Sequence, residues 1–170
     1  LFNAAEFQIE QNPNNADEWC FLGQVHLSNG AYSQAYKSLK KSIELDASNA
    51  NSYYYLGLYY RIKDDLSRAE YNFMKTINLD KSHAKAHGNL GLIYIDKKRY
   101  NKSKMHFQRA LEINPQHTLA REGLDKMKKF VAVKVKFEKK LKKPISLQNS
   151  DIKLIKKLLL SQQNLCKERS

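Results

Sequence analysis

The sequence is poor in residues that interrupt regular structure or cross-link it. Three prolines and six glycines among 170 residues leave little material for the many turns of an all-β fold. The two cysteines, Cys20 and Cys166, lie far apart in the chain, so they make neither a disulfide framework nor a metal-ligand cluster. No apolar run approaches the roughly 20 residues that a membrane-spanning helix needs. Hydrophobic residues nevertheless make up 42% of the chain, which argues against wholesale disorder.

Acidic residues are scarce in the last third of the chain. The 30 Lys and Arg residues outnumber the 17 Asp and Glu residues, which gives a net charge of +13. Residues 118–170 hold 15 of these bases and only 5 of the acids, a net charge of +10. We therefore expect this part to be a separate solvating or functional element.

An internal repeat organises the centre of the sequence. It aligns three consecutive blocks of equal length, residues 16–49, 50–83 and 84–117. A Leu-Gly pair occupies the seventh and eighth places of each block: Leu22-Gly23, Leu56-Gly57 and Leu90-Gly91. A large apolar residue occupies the twenty-fourth place: Leu39, Phe73 and Phe107.

This pattern resembles the tetratricopeptide repeat (TPR), in which Trp, Leu-Gly, Tyr, Ala, Phe, Ala and Pro recur within about 34 residues. The sequence departs from the pattern where Ser42 and Thr76 replace the late alanine that Ala110 keeps, and where only Pro115 keeps the terminal proline. The resemblance implies an all-α fold, an α-solenoid of antiparallel helix hairpins whose first helices line a concave groove. Members of the family bind partner proteins in that groove.

The spacing of apolar residues predicts the same fold without the resemblance. Trp19, Leu22, Gly23 and His26 fall at i, i+3, i+4 and i+7, on one face of a helix. A glycine at a helix contact lets two axes approach while a large residue opposite fills the gap. One such hairpin cannot bury its apolar faces, so copies must stack.

Both ends are predicted to extend the array. Residues 1–15 match the closing phrase of a repeat, so we expect them to be the second helix of a truncated preceding repeat, with more sequence upstream. The helical spacing of apolar residues in 118–130 predicts a capping helix of the kind that covers the end of a solenoid. Residues 131–170 then form a basic C-terminal extension.

The start of that extension has two interpretations. Val131, Val133 and Val135 alternate with other residues, which is typical of a short strand. Val133 and Phe137 also lie four apart, and a continued capping helix is the favoured interpretation because an isolated strand has no visible partner.

No constellation of side chains indicates an enzyme, and we expect neither catalysis nor a cofactor. His83 and His87 are four places apart and could in principle share a metal ion. His87 occupies the large-residue place of its repeat, however, and no acid or cysteine completes a coordination shell, so structural roles are favoured and no metal is expected.

The resemblance implies a binding site at fixed places on the first helices. In the subfamily that binds the acidic tails of heat-shock chaperones, five residues form a two-carboxylate clamp. Lys85 is the only residue of this sequence that matches one of them, so an acidic chaperone tail is disfavoured as the ligand. We expect aromatic and branched side chains to provide contact area, Gln24 and Asn89 to orient a peptide backbone, and Arg61 and Lys85 to meet acids. The groove set is Phe21, Gln24, Tyr54, Tyr55, Leu58, Arg61, Lys85, Asn89, Leu92 and Ile95. The alternative is that some of these residues cover the chain's own terminal helix or a neighbouring repeat.

Three functions remain open at this point. The favoured one is a scaffold or adaptor that binds an apolar segment or helix of a partner protein in the groove. The second is a chaperone for unfolded or export-bound proteins, and the third is docking of residues 126–157 on nucleic acid or anionic membrane. No recognition-helix motif supports sequence-specific nucleic-acid binding. The absence of a visible signal segment favours the cytoplasm, but the truncated start leaves the compartment open, and the sequence identifies neither the partner nor the oligomeric state.

Overall fold

The computed structural model describes residues 2–141, with side chains for residues 5–129. The chain divides into two compact units, Leu1–Lys128 and Lys129–Ser170. Throughout the described range the regular elements are helices, which confirms the all-α prediction. They are α1 (Phe2–Gln11), α2 (Ala16–Ser28), α3 (Tyr32–Leu45), α4 (Ala50–Ile62), α5 (Leu66–Leu79), α6 (Ala84–Asp96), α7 (Tyr100–Ile113) and α8 (Thr118–Leu141).

The helices pack as successive hairpins. α2 contacts α3, α4 contacts α5, and α6 contacts α7, while α3 and α5 each also contact the helix that follows. The first helix of each pair begins at Ala16, Ala50 or Ala84, which are the first residues of the three sequence blocks, and α8 begins directly after the third block. The repeat in the sequence is therefore a repeat of helix pairs.

Turn geometry repeats in step with the blocks. Gly30, Asp64 and Lys98 hold the same place in their blocks, between the two helices of each pair, and their φ angles are 73°, 58° and 55°. Glycine adopts this left-handed region without steric cost, whereas Asp64 and Lys98 adopt it as exposed non-glycine residues. The backbone conformation of the turn is thus maintained although its residue type changes.

A glycine and a large side chain interlock inside each hairpin. A methyl group added to Gly23 would lie 2.6 Å from Leu39 Cγ, and one added to Gly91 would lie 2.4 Å from the Phe107 ring. Leu39, Phe73 and Phe107 are fully buried. We call these three contacts (Gly23–Leu39, Gly57–Phe73 and Gly91–Phe107) the seams, and they set how closely the paired helices approach.

The two residues that replace the late alanine of the repeat, Ser42 and Thr76, form hydrogen bonds through their hydroxyl groups. Ser42, which replaces an alanine, donates its hydroxyl to the Ala16 carbonyl at 2.6 Å and lies 2.6 Å from the Ser52 hydroxyl. Thr76 donates to the Asn72 carbonyl at 3.0 Å. Both residues are fully buried, so these bonds satisfy hydroxyl groups that would otherwise be costly to bury.

The last described helix is longer than the predicted capping helix. α8 runs from Thr118 to Leu141, so the favoured continuation is confirmed and the alternative of a short strand after residue 130 is wrong. Leu124 and Met127 pack against the buried cluster around Phe107. The remainder of the predicted extension, with Cys166, lies outside the described residues. Among the helices that the structure describes, none has the length and apolar character needed to cross a membrane.

Candidate functional site

The predicted groove residues lie on α2, α4 and α6, and we call the surface that they form the first-helix face. Five large apolar side chains of this set are half-buried: Phe21, Tyr55, Leu58, Leu92 and Ile95. Gln24 is half-buried as well, and Arg61 and Lys85 are exposed. Tyr54 and Asn89 are buried, with 8% and 5% of their surface exposed.

Tyr54 belongs to the core beneath the face. Its ring centroid lies 5.8 Å from that of Phe73 and 4.7 Å from that of His83. Burial raises the pKa of its hydroxyl, with Asn89 and Arg61 opposing that shift. The ring is enclosed between neighbouring helices, so contact of Tyr54 with a ligand stays a prediction and is not used in the proposal below.

Asn89 is engaged within the protein at both ends of its amide. Its Oδ1 accepts a hydrogen bond from Arg61 Nη1, and its Nδ2 donates to the Lys85 carbonyl at 2.9 Å. These two bonds use one acceptor site and one N–H of the amide, and the role of Asn89 in orienting a ligand backbone stays a prediction. Within the protein, the amide ties the exposed guanidinium of Arg61, on α4, to α6.

Tyr55 and Cys20 meet where α2 and α4 approach each other. The Tyr55 ring lies edge-on to Tyr54 with a centroid distance of 5.2 Å. Burial, followed by the proximity of Cys20 and Tyr54, raises the pKa of Tyr55 to about 12. Burial also raises the pKa of the Cys20 thiol. Both groups are therefore neutral at pH 7, and Cys20 lacks the thiolate character of a nucleophile.

The two histidines considered for a metal ion have separate partners. His83 Nδ1 accepts a hydrogen bond from the Ala86 amide at 3.1 Å at the start of α6. His87 Nδ1 lies 3.0 Å from His106 Nδ1 on α7. Among the residues that the structure describes, no cluster of three or more His, Cys, Asp or Glu residues is arranged to hold a metal ion.

His106 is the residue that reasoning from the sequence missed. It stands at the twenty-third place of its block, where the earlier blocks have Ser38 and Asn72. The signal was available, because the fourth and twenty-third places lie on the paired helices and both hold histidine only in the third block. Proximity in the chain instead pairs His87 with His83, four places before it.

Comparison with known proteins identifies the repeat. A family model described as "Cytochrome c-type biogenesis protein H TPR domain" matches residues 5–120. No curated protein sequence matches the chain significantly.

Solved structures share the fold. "Crystal structure of MamA" is 25% identical with a TM-score of 0.62, and the match covers 98% of this chain and 89% of that one. "Crystal structure of YrrB: a TPR protein with an unusual peptide-binding site" is 25% identical with a TM-score of 0.58, covering 65% of this chain and 57% of that one. The first TPR of Spaghetti, bound to an HSP90 peptide, is 21% identical with a TM-score of 0.65, and the match covers 69% of this chain and 94% of that one. At this identity the likeness shows the fold alone.

Proposed function

Because the chain belongs to the family of the cytochrome c-type biogenesis protein H TPR domain, we propose that it is a non-enzymatic scaffold whose first-helix face binds an apolar segment of a partner protein. Proteins with this repeat generally serve as protein–protein interaction modules rather than enzymes. The ligand is an extended or helical segment lying across α2, α4 and α6. The helix pairs supply a rigid support, and the exposed part of the face supplies the specificity.

One observation carries this proposal: five large apolar side chains on three first helices keep part of their surface in contact with solvent. Phe21, Tyr55 and Leu58 lie on α2 and α4, and Leu92 and Ile95 lie on α6. A set of half-buried apolar residues that keep some exposed surface on neighbouring helices is typical of an interaction surface. Aromatic residues there bury a large area and lose little rotamer entropy on binding.

The charges on the face favour a partner segment that carries at least one acidic residue. Arg61 is exposed, and its guanidinium is already oriented by Asn89. An arginine that is already held in place loses less side-chain conformational entropy when it forms a bidentate ion pair with a carboxylate. Lys85, on α6, adds a second exposed cation. We therefore expect apolar contacts to provide affinity and the Arg61 contact to fix the register of the segment.

Selection from a displayed library of short random peptides tests the proposal. Peptides enriched on the full chain should combine apolar residues with an acid, and Tyr55→Ala should weaken their binding at least tenfold, since central aromatic anchors contribute about 2 kcal/mol or more. The control is Tyr71→Ala, which removes a tyrosine that is 67% exposed on the second helix α5. Equal loss in both variants, or no loss in Tyr55→Ala with the helical circular-dichroism spectrum intact, would refute the assignment.

The chaperone alternative makes a different prediction in the same system. A chaperone should retain many unrelated apolar peptides on an array and should show no dependence on an acid or on Arg61. One sequence motif whose binding is weakened by Arg61→Ala would favour the scaffold. Broad retention that is unchanged in Arg61→Ala would favour the chaperone.

Docking through the basic C-terminal part is a third candidate function. Lys126, Lys128 and Lys129 lie along α8 and are exposed there, and the rest of the segment predicted to dock, residues 126–157, continues beyond the described residues. Binding of this kind should weaken steeply as salt is added, because the counterions of the polyanion are released on association. Titration of the full chain with vesicles of anionic lipid, and separately with duplex DNA, at two salt concentrations measures this dependence.

A further inference from the structure

We propose that residues 83–120, which we call the histidine segment, are an acid-sensitive part of the repeat array. Four of the five histidines of the chain lie there: His83, His87, His106 and His117. Each is held by a contact that requires at least one neutral imidazole ring. Acidification therefore loosens α6, α7 and the start of α8 before it affects α2–α4.

Two of these histidines cap helices where the earlier repeats use asparagine. The side chain of Asn15 accepts a hydrogen bond from the Asp17 amide at 3.0 Å, and that of Asn49 accepts from the Ser52 amide at 3.0 Å. At the place of Asn49 in the second and third blocks, His83 Nδ1 accepts from the Ala86 amide at 3.1 Å and His117 Nδ1 accepts from the Ala120 amide at 3.3 Å. The asparagine amide does not titrate.

Protonation removes the acceptor on which the histidine caps depend. An imidazolium ion has two N–H donors and no acceptor, so neither His83 nor His117 can cap a helix in that state. The lost bond leaves an amide of the first helical turn without its partner and places a positive charge at the positive end of the helix dipole. The asparagine caps of α2 and α4 keep their bonds at every pH in the working range.

The other two histidines form a buried pair. The Nδ1 atoms of His87 and His106 lie 3.0 Å apart, and their ring centroids are 5.3 Å apart. Tyr94 stacks on His106 with a centroid distance of 5.3 Å. A hydrogen bond between two ring nitrogens uses one proton, so the pair breaks when both nitrogens carry protons. The two residues are almost fully buried, so water does not readily replace the lost bond.

Charges from several elements face these rings and partly offset one another. Asp80 faces His83, Glu112 faces His87, and Glu70 on α5 faces His106; each of these acids favours the protonated ring. The opposing cations are Lys85 beside His83 and His117, Arg109 beside His87, and Lys102 beside His106. A proton on His83 also opposes protonation of His87, and one on His87 opposes that of His106.

Burial is the largest influence on all four rings. It lowers the pKa of each, and it lowers that of His106 to about 4. His26 on α2 is the one histidine outside the segment; burial lowers its pKa and Glu6 opposes the shift. The segment therefore holds four rings with lowered pKa values, against one in the rest of the chain.

The sign of the pH effect follows from these directions. A ring whose pKa is lower in the folded state binds its proton preferentially when the chain is open. Stability is therefore complete above the unfolded pKa of 6.5, falls as the pH drops below that value, and levels off near the folded pKa. For His106 alone, with pKa values of 6.5 and about 4, the opening equilibrium at pH 5.0 rises about 20-fold relative to pH 7.0.

Hydrogen exchange of the full chain, followed by mass spectrometry at pH 7.5 and pH 5.0, tests the proposal. After correction for the intrinsic exchange rate, opening of α6 and α7 should increase by about 20-fold at pH 5.0. Opening of α2 and α4 should increase several-fold less. An equal increase in both regions, or no increase in α6 and α7, would overturn the proposal.

The repeats themselves provide the matched control. His87→Tyr with His106→Asn copies the Tyr53 and Asn72 of the second block, and His83→Asn with His117→Asn copies the earlier caps. The fourfold variant should lose most of the pH difference between the two regions, and retention of that difference would contradict the histidine assignment. Should the fourfold variant not fold, His83→Asn with His117→Asn alone should reduce the difference at the start of α6, and an unchanged difference there would contradict the role of the caps.

Acidification should also weaken peptide binding, a consequence that rests on the proposed function. α6 carries Lys85, Leu92 and Ile95 of the first-helix face, so a bound peptide should dissociate faster at pH 5.0 than at pH 7.5. The exchange experiment contains no peptide. A failure of peptide binding therefore leaves the exchange result intact, and a failure of the exchange prediction leaves the binding proposal intact.

Discussion

Each of the helices α2, α4 and α6 has one side fixed by a seam and another side that is half-open to solvent. On the seam side an added methyl group would lie 2.4–2.7 Å from the nearest atom of the paired helix, and the large partners are fully buried. On the first-helix face, side chains such as Leu58 and Leu92 keep part of their surface in water. The close contacts of the seam thus restrict the size of the residues there. On the first-helix face the packing imposes no such restriction, so the residue types can be suited to a ligand.

Removing the large partner of a seam should have the greatest effect. Phe107 is fully buried and is enclosed by Gly91 on α6 and Gly123 on α8. Phe107→Ala should lower the free energy of unfolding by about 3–5 kcal/mol, the sum of lost burial and the cavity left behind. Urea denaturation followed by circular dichroism measures it. Met105→Ala, on the same helix but 56% exposed, should change stability by less than about 0.5 kcal/mol, and equal losses would contradict the distinction.

Substitution of a glycine should likewise cost more stability in a seam than in an exposed turn. Gly57→Ala places a methyl group 2.7 Å from the Phe73 ring, so strain in the seam should cost about 1–3 kcal/mol. Gly30 has open space around its Cα and a φ of 73°, which asparagine tolerates, and Asp64 and Lys98 show that the turn accepts side chains. Gly30→Asn should therefore cost less than about 1 kcal/mol. Thermal unfolding of the two variants compares them, and a larger loss for Gly30→Asn would reverse the ranking.

The seams were predictable from the sequence because they depend on residues at fixed spacing. Leu-Gly at the seventh and eighth places and Leu or Phe at the twenty-fourth place are sufficient to locate the contacts, since helical periodicity sets which residues meet. The start of the extension was ambiguous for a related reason. Residues four apart, such as Val133 and Phe137, share a face in a strand as well as in a helix, and only the observed helix to Leu141 decides between the two interpretations.

The first-helix face was less predictable, because exposure there depends on how one repeat sits against the next. Tyr54 and Tyr55 are adjacent in sequence and both are predicted at the surface, but Tyr54 joins a buried cluster that includes Phe73 on α5 and Leu90 on α6, whereas Tyr55 is half-buried. Asn89 has the residue type expected for ligand binding, yet its amide is engaged by Arg61, which reaches it from another helix. Contacts of this kind depend on three-dimensional register, which a single sequence does not specify.

Helix caps should have an intermediate effect that can be transferred between repeats. Asp65 caps α5 by accepting a hydrogen bond from the Arg68 amide at 2.9 Å, whereas Ala31, at the same place before α3, makes no such bond. Asp65→Ala should cost about 1 kcal/mol, and Ala31→Asp should gain about 0.5–1 kcal/mol. Chemical denaturation of both variants checks the pair. No gain in Ala31→Asp would mean that the start of α3 does not admit the capping geometry.

The smallest effect on stability is expected on the first-helix face itself. Gln24 lies one residue after the seam glycine Gly23, yet its side chain is half-exposed. Gln24→Ala should change the free energy of unfolding by less than about 0.5 kcal/mol, whereas Leu39→Ala, which removes the seam partner of Gly23, should cost about 2–5 kcal/mol. Parallel denaturation curves measure both changes, and a loss above about 1 kcal/mol in Gln24→Ala would show that the face also supports the fold. A difference of this size between neighbouring positions on one helix is expected if residues on the face are not required for folding and can be selected by a partner.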